Sequence, residues 1–167
     1  MRSLIYGYGD TGKSFERYLD KKKYDYEIFD TNISQYNLNY DFQDFDQILC
    51  SPGIPKDIFE NIKTQNNNVF TDVDIFFNED RSIKIGITGT NRKSTTAFHL
   101  HQLFKKYKPS NLVGNIGNTM LDYINNGKKF SIIELSSFQL DKMDHNRLDY
   151  GISVSYTHLR AHETTDN

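Results

Sequence analysis

A run of glycine, lysine and hydroxyl residues near the middle of the chain has the composition of a phosphate-binding loop. It reads GITGTNRKSTT over residues 86–96. Backbone N–H groups at the start of a helix, with Lys93 and Ser94 beside them, are the groups that surround a nucleotide phosphate in such loops. The residue before the lysine is Arg92, where a phosphate loop usually has glycine, and Ile87 replaces the first glycine of the G-x-x-x-x-G-K-[ST] pattern. The run therefore indicates phosphate chemistry without matching the general template.

A second glycine turn lies near the start of the chain. Residues 7–12 read GYGDTG, which fits G-x-G-x-x-G, and they follow a short apolar run at 3–6. Asp30 stands at the end of the next apolar run, at about the spacing where an acidic residue binds a ribose hydroxyl. The turn itself requires only that a phosphorylated ligand approaches a helix N-terminus. NAD, a flavin, a UDP-sugar and a structural turn without a ligand all remain open on these residues alone.

Both turns need strands before them and helices after them, and the hydrophobic pattern predicts these elements. Short apolar runs alternate with amphipathic segments, which is typical of an α/β fold with helices packed on parallel sheets. We expect strands at 3–6, 26–30, 47–51, 68–70, 83–88, 111–114 and 130–135, and helices from Thr11, at 56–64, from Lys93 and at 119–124. The apolar side chains expected to face inward are Ile58, Phe59 and Ile62 on the helix at 56–64, and Ala97, Leu100, Leu103 and Phe104 on the helix from Lys93.

The polar stretch NEDRS at 78–82 predicts a boundary between two domains. We expect one α/β domain at residues 1–78 and a second at residues 79–154. Each domain would then hold one of the two glycine turns, directly after its first strand.

Composition excludes several classes of function. The 167 residues carry a formal net charge of −2, so no basic excess indicates a nucleic-acid partner. No apolar run is long enough to span a bilayer, and we expect no membrane partner. The one cysteine, Cys50, excludes an internal disulfide and lies in an apolar run, which predicts a buried thiol in a reducing compartment. We expect a cytoplasmic, monomeric protein.

Four motifs in order give the chain a family resemblance. TGTNRKST (88–95) resembles the ATP loop T-G-T-N-G-K-[ST] of the Mur ligases, a family of cell-wall amino-acid ligases. GNIG (114–117) is similar to the glycine–asparagine turn that follows the next strand of that family. ELSSFQL (134–140) and SPGIP (51–55) resemble the branch that adds D-glutamate to UDP-N-acetylmuramoyl-L-alanine. The resemblance covers residues 3 to about 154.

This resemblance implies a reaction and two ligands, ATP and Mg²⁺, for the second domain. ATP would phosphorylate the L-alanyl carboxylate, and the amine of D-glutamate would attack the acyl phosphate, as a step of peptidoglycan biosynthesis. Lys93, Glu134 and Asn115 would be catalytic. Ser94 and Glu134 would hold Mg²⁺, although on the residues alone Glu134 could equally be an ordinary strand-end carboxylate. The residues implied to bind ATP are Gly89, Thr90, Asn91, Arg92, Lys93, Ser94 and Thr95.

For the first domain the resemblance implies the UDP end of the substrate rather than NAD. The residues implied to bind the UDP-substrate are Asp10, Thr11, Asp30, Thr31, Gly53, Asn115, Ser136 and Gln139. Asp10 and Thr11 would meet the diphosphate, and Gly53 would let the backbone approach the uracil. Ser136 has a second interpretation as an ordinary helix cap.

The implied architecture is a Rossmann-like UDP-binding domain at 1–78, followed by a truncated P-loop ATPase-like α/β central domain at 79–154. Arg92 departs from the family, whose glycine at this position often has positive φ and lets the backbone approach the phosphate. The arginine would strain the loop, block the seat of the β-phosphate, or supply an extra positive charge. Residues 155–167 read SYTHLRAHETTDN, where the family should continue into the rest of the central domain and a third domain. We interpret this segment as a non-native tail, and we expect the chain to be inactive. The alternatives are a nucleotide-binding module without catalysis and a related amide ligase, such as a folylpolyglutamate synthase, against which ELSSFQL argues.

Overall fold

Two parallel sheets form the framework of the computed structural model, which describes residues 1–143 and 147–155. The strands of the first sheet are β1 (Arg2–Tyr6), β2 (Asp25–Phe29), β3 (Gln47–Cys50) and β4 (Val69–Phe70), and those of the second are β5 (Ile83–Thr88), β6 (Ser110–Gly114), β7 (Phe130–Glu134) and β8 (Tyr150–Ser153). The helices are α1 (Asp10–Lys22), α2 (Lys56–Gln65), α3 (Asp72–Glu79), α4 (Lys93–Tyr107) and α5 (Ser137–Lys142). Short 3₁₀ turns cover Ser34–Tyr36, Phe42–Asp44 and Met120–Tyr123. Most of the tail that we interpret as non-native, residues 156–167, lies outside the described residues.

The strands of each sheet pair in parallel, which confirms the α/β class predicted from the alternation. The strand order is β2–β1–β3–β4 in the first sheet and β6–β7–β5–β8 in the second. In each sheet the chain leaves its first strand, β1 or β5, toward one side and later returns to pair on the other side. Ligands of open α/β sheets bind at the carboxyl edge where such a reversal occurs. Both glycine turns lie at these edges, since one follows β1 and the other follows β5.

The segment before the second sheet differs from the sequence prediction, which had no helix there. α3 begins after Thr71, whose hydroxyl accepts a hydrogen bond from the Asp74 N–H while the Asp74 carboxylate accepts one from the Thr71 N–H. Most of its residues are buried, so the sequence lacks the one-sided apolar stripe that marks a surface helix. α3 ends at Glu79, close to the expected boundary. The domain limits of 1–78 and 79–154 remain a prediction.

Two side chains that were predicted to face inward are partly exposed, so those predictions were wrong. Leu103 on α4 is 53% exposed, while Ala97 is buried and Leu100 packs beside it. At about 100° per residue, Leu103 lies roughly 60° beyond Leu100 around the helix, outside the arc that meets the sheet. Ile58 on α2 is 37% exposed because it lines a cavity, whereas the other two inward positions on that helix are buried.

The structure also bears on two inferences drawn from composition. Cys50 is buried at the end of β3, as its apolar surroundings predicted. Burial raises the pKa of its thiol to about 12, so the thiol stays protonated at neutral pH and is a poor nucleophile. Across residues 1–143 and 147–155, none of the helices has the length and apolar character needed to cross a membrane.

One apolar cluster joins the two sheets. Its members are buried and come from both halves of the chain: Ile5, Phe15, Leu19, Leu49, Val73, Ile75, Phe76, Phe77, Val113, Met120, Leu121, Ile133 and Leu135. The 3₁₀ turn at Met120–Tyr123 is central to it, because this turn packs against both α1 and α3. Beside the cluster, the Arg17 guanidinium of α1 donates to the Asp122 carboxylate of that turn, with 2.6 Å between Nη2 and Oδ2. Buried apolar contacts therefore hold the two sheets together.

Shortening Leu121, which is 4% exposed within this cluster, should destabilise both sheets together. We expect Leu121→Ala to lower the free energy of unfolding by about 2–5 kcal/mol, because it leaves a cavity in close-packed surroundings. Urea unfolding followed by circular dichroism and tyrosine fluorescence would measure the loss, with both signals changing in one transition. Leu38→Ala is the matched control, since Leu38 is 51% exposed. This control should change stability by less than about 0.5 kcal/mol. Two separate transitions, or equal effects of the two substitutions, would contradict a shared core.

Candidate functional site

A cavity of about 400 Å³ opens at the carboxyl edge of the first sheet. It lies among the loops that follow β1, β2 and β3, where the chain reverses its direction across the sheet. Its volume falls within the range of roughly 300–1,000 Å³ that is typical of ligand pockets. The structure brings together here the five residues of the first sheet that the resemblance implied, namely Asp10, Thr11, Asp30, Thr31 and Gly53.

Asp30 fixes the shape of the glycine turn. Its Oδ2 accepts the Tyr8 N–H at 2.7 Å, and its Oδ1 accepts the Asn32 N–H at 2.8 Å. A carboxylate oxygen can accept two hydrogen bonds, so each oxygen keeps capacity for a ligand hydroxyl. The predicted contact between Asp30 and a nucleoside therefore stays a prediction, and its contact with the turn is a structural role that the motif did not indicate.

The glycines of the turn allow α1 to lie close to β1. Gly7 has φ +90°, in the region that favours glycine. A Cβ on Gly12 would lie 2.2 Å from the carbonyl oxygen of Gly7, so only glycine fits there. Ser51 on the neighbouring loop donates its hydroxyl to the same oxygen at 2.7 Å. A Cβ on Gly53, in contrast, would meet none of the described atoms within 4 Å, so this part of the cavity wall is open to a ligand.

The cavity also has apolar walls that polar motifs do not mark. Tyr6 at the end of β1, Ile54 after β3 and Ile58 on α2 contribute to them. Apolar and aromatic walls are typical of small-molecule sites, in which a few polar groups fix the orientation of the ligand. The signal available in the sequence was the position of Tyr6 directly before the glycine turn.

The phosphate-type loop after β5 has a left-handed residue where the family has glycine. Arg92 has φ 63° and ψ 13° and stands at the N-cap of α4. The expectation of positive φ at this position is confirmed. Left-handed backbone costs a residue with a Cβ about 1–2 kcal/mol, so the arginine strains the loop.

Lys93 begins α4 and turns back over the loop. Its ammonium donates to the carbonyl oxygen of Gly89 at 2.7 Å. Ser94 and Thr95 follow on the first turn of the helix, and both are exposed. The N-terminus of a helix attracts anions through its unpaired N–H groups and its dipole. These residues therefore present an ammonium, two hydroxyl groups and a helix N-terminus at one edge of the sheet.

Two N–H groups of the same loop, those of Thr90 and Asn91, already have an acceptor. Both donate to the Ser155 hydroxyl oxygen, at N–O distances of 3.0 and 3.4 Å. Ser155 reaches the loop because β8 pairs with β5 and the Val154 N–H donates to the Thr88 carbonyl oxygen at 2.9 Å. Ser155 is also the first residue of the segment that we interpret as non-native. A phosphate bound to these two N–H groups would have to displace it.

Glu134 lies at the same edge, at the end of β7. β7 pairs with β5, and the Leu135 N–H donates to the Ile87 carbonyl oxygen at 2.9 Å just before the loop. Glu134 is 1% exposed, and its Oε1 accepts the side-chain amide of Asn115 at 3.3 Å. Its Oε2 is buried and has no hydrogen-bond partner among the described residues. Because an unpaired buried carboxylate oxygen is unfavourable, this geometry is typical of a site that a cation or a ligand completes.

Ser136 and Gln139 form the N-terminal cap of α5. The Ser136 hydroxyl accepts the Gln139 N–H at 3.2 Å, and the Gln139 side-chain oxygen accepts the Ser136 N–H at 3.0 Å. This reciprocal pair is a capping box, so the interpretation of Ser136 as a helix cap is confirmed. Contact of either side chain with a substrate stays a prediction.

The residues implied to bind the UDP-substrate thus fall into two groups. Those of the first sheet line the cavity. The other three, Asn115, Ser136 and Gln139, lie on segments that adjoin Glu134 at the edge of the second sheet. The structure therefore divides this set of residues between the edges of both sheets.

Parallel sheets with a glycine turn at each carboxyl edge define a Rossmann-like α/β protein. No protein-family model matches the chain. The chain is 36% identical over 174 aligned residues to the UDP-N-acetylmuramoylalanine–D-glutamate ligase of Francisella tularensis subsp. novicida (strain U112), and equally to that of subsp. holarctica (strain LVS). Each alignment covers 96% of this chain and 40% of the relative. The resemblance to the Mur ligases that the motifs indicated is confirmed by these relatives, and the chain spans about two fifths of the length of the curated relatives that it matches.

Glycine in place of Arg92 should relieve the left-handed strain at the phosphate-type loop. We expect Arg92→Gly to raise the free energy of unfolding by up to about 1 kcal/mol, since the strain of the Cβ exceeds the added flexibility of glycine in the unfolded chain. Arg92→Ala is the matched control, because it removes the charge and the long side chain but keeps the Cβ. Urea unfolding of the three proteins would measure the difference. Equal stability of the two variants would contradict the strain.

Proposed function

We propose that this chain acts in ATP-dependent amide-bond formation, in which D-glutamate is added to UDP-N-acetylmuramoyl-L-alanine during peptidoglycan biosynthesis. The names of its relatives support ligase chemistry with this pair of reactants. The observation that carries the proposal is Glu134, a buried carboxylate with one unpaired oxygen on the strand beside a phosphate-type loop. We further propose a cytoplasmic monomer whose partners are small molecules, with neither nucleic acid nor a membrane among them.

The edge of the second sheet would bind ATP and Mg²⁺. The donor set fits Mg²⁺, because Glu134 offers an unpaired carboxylate oxygen and Ser94 an exposed hydroxyl, and both are hard oxygen ligands. A bound Mg²⁺ would neutralise phosphate charge during phosphoryl transfer. Lys93 would exchange its contact with the Gly89 carbonyl for the β- and γ-phosphates. The other loop residues proposed to line the phosphates are Thr90, Asn91, Arg92 and Thr95.

The proposed reaction passes through an acyl phosphate. The terminal phosphoryl group of ATP is transferred to the L-alanyl carboxylate, and the amine of D-glutamate then displaces phosphate to form the amide. Asn115 would hold the substrate at this edge, since its side chain is exposed and already contacts the Glu134 carboxylate. Ser136 and Gln139 would contact the same substrate from the start of α5. Positioning and charge neutralisation, rather than covalent help from the protein, would lower the barrier.

The cavity of the first sheet would hold the UDP end of the substrate. The diphosphate would lie at the N-terminus of α1, where Asp10 and Thr11 offer backbone N–H groups and a hydroxyl. Asp30 and Thr31 would contact the uridine, and the open wall at Gly53 would admit the uracil. NAD is the rival ligand, because the glycine turn alone suits either nucleotide.

Calorimetry with UDP and NAD would separate these two ligands. We expect the chain to bind UDP more tightly than NAD, because the SPGIP loop at 51–55 and the pair Asp30 and Thr31 accompany the glycine turn, and all of them line the cavity. Gly53→Val should weaken UDP binding about tenfold by filling the open wall. Gly151→Val is the matched control, since Gly151 on β8 also has open space where a Cβ would go. Tight NAD binding without any response to UDP would refute the proposed ligand.

A nucleotide-binding module without catalysis is the second candidate function. Two features of the second sheet favour it. Arg92 strains the phosphate-type loop, and Ser155 occupies two of the loop N–H groups. Ser155 opposes phosphate binding at the ATP loop and the strain at Arg92 destabilises that loop, whereas neither feature affects the cavity of the first sheet.

These 167 residues alone should not form the amide bond. The chain spans 40% of the length of its ligase relatives. Orientation of two reactants can lower a barrier by up to roughly 7–11 kcal/mol, so turnover should stay at background if D-glutamate has no site. A coupled phosphate-release assay with ATP, Mg²⁺ and both substrates would measure it, with the Francisella ligase as positive control. Release that depends on D-glutamate would contradict this expectation.

A further inference from the structure

Lys142, the last residue of α5, is buried against the wall of the first-sheet cavity. It is 4% exposed, and its ammonium donates to the carbonyl oxygens of Pro52 and Ile54, at 2.7 and 2.5 Å. Both carbonyls belong to the loop that lines the cavity. The contact with Pro52 joins residues 90 positions apart and crosses from the second sheet to the first.

Lys142 is a buried cation whose ammonium group is held by hydrogen bonds. Its two hydrogen bonds to the loop use two of the three ammonium N–H groups. Nζ also lies 5.6 Å from the centre of the Phe59 ring. Burial lowers the pKa of Lys142, while the buried Cys50 and Asp72 oppose that shift. Because an ion in such a position is expensive to desolvate, the contact is better explained by what it holds in place than by stability alone.

The segment that ends in Lys142 is the one that carries the predicted residues of the second sheet. It begins at Glu134, continues through the capping box at Ser136 and forms the short helix α5. The loop at 51–55 is also held at its start, where the Ser51 hydroxyl donates to the Gly7 carbonyl oxygen at 2.7 Å. The shape of this loop therefore depends on one contact with the glycine turn and on one with α5.

We propose that Lys142 is a positioning residue, which holds the loop at 51–55 in the shape that receives the uridine end of the nucleotide and ties this cavity to the Glu134 edge. The identity of the ligand rests on the proposed function, whereas the effect of Lys142 on the loop does not. The sequence did not indicate this role, because a lysine at the end of a helix is normally a solvated side chain that complements the helix dipole.

Lys142→Met would test the proposal, because it removes the ammonium but keeps an unbranched side chain. In the ligand-free chain, the amides of Ser51, Gly53 and Ile54 should exchange with solvent at least about tenfold faster, since the loop loses two charge-assisted hydrogen bonds. Calorimetric affinity for UDP should fall about tenfold. Arg17→Met is the matched control, because it removes the Arg17–Asp122 ion pair, a different contact between the sheets that does not involve the loop. It should leave both quantities unchanged.

UDP affinity that is unchanged in folded Lys142→Met would overturn the proposal. Equal losses in Lys142→Met and Arg17→Met would also overturn it, because they would show general loosening between the sheets. If Lys142→Met does not unfold cooperatively, Lys142→Gln, which keeps an N–H donor without the charge, is judged by the same two measurements. Failure of the unmodified chain to bind UDP would refute the proposed function, and the exchange rates would still decide whether Lys142 positions the loop.

Discussion

The parallel pairing of β5 with β7 is the constraint on which the second sheet depends. In this register Ile87 lies opposite Glu134, so the phosphate-type loop and the buried carboxylate leave the sheet at one edge. Parallel strands have their carboxyl ends on the same side, and a polar group at that end meets any ligand bound there. A shift of one residue would turn Glu134 to the opposite face of the sheet. The contact with Asn115 and the start of α5 both depend on this register.

Unfavourable features of the molecule are concentrated around the two carboxyl edges. Arg92 is held in left-handed backbone, and Glu134 keeps an unpaired buried oxygen. Burial raises the pKa of Asp72 from 3.8 to about 6, so this carboxyl binds its proton more tightly in the folded state. Its contribution to stability is therefore present at low pH and is lost as the pH rises through that interval. The apolar cluster shared by the sheets contributes the burial that offsets these costs.

Local pattern was sufficient for the strands β1 to β7 and for the two turns, whereas it missed α3. β5 occupies the predicted residues 83–88, because a short apolar run between polar residues suits one buried strand. The positive φ of Arg92 followed from the family's glycine at that position, since such a glycine reflects a backbone requirement that survives substitution. Asp10, Thr11, Asp30, Thr31 and Gly53 were found to share one cavity because each follows a strand of the same parallel sheet.

Contacts between distant residues were needed for everything that depends on which surface a side chain meets. Leu103 and Ile58 fit an apolar helical pattern, yet Leu103 lies outside the arc of α4 that meets the sheet and Ile58 lines a cavity. The carboxylate of Asp30 closes a turn as well as facing a cavity, and its motif cannot separate the two. Lys142 resembles any solvated lysine at the end of a helix until folding brings it against a loop 90 positions away. The periodicity of a sequence predicts the conformation of a segment. The burial and hydrogen bonds of its side chains depend on the residues that it contacts, and these contacts form only when the two sheets pack.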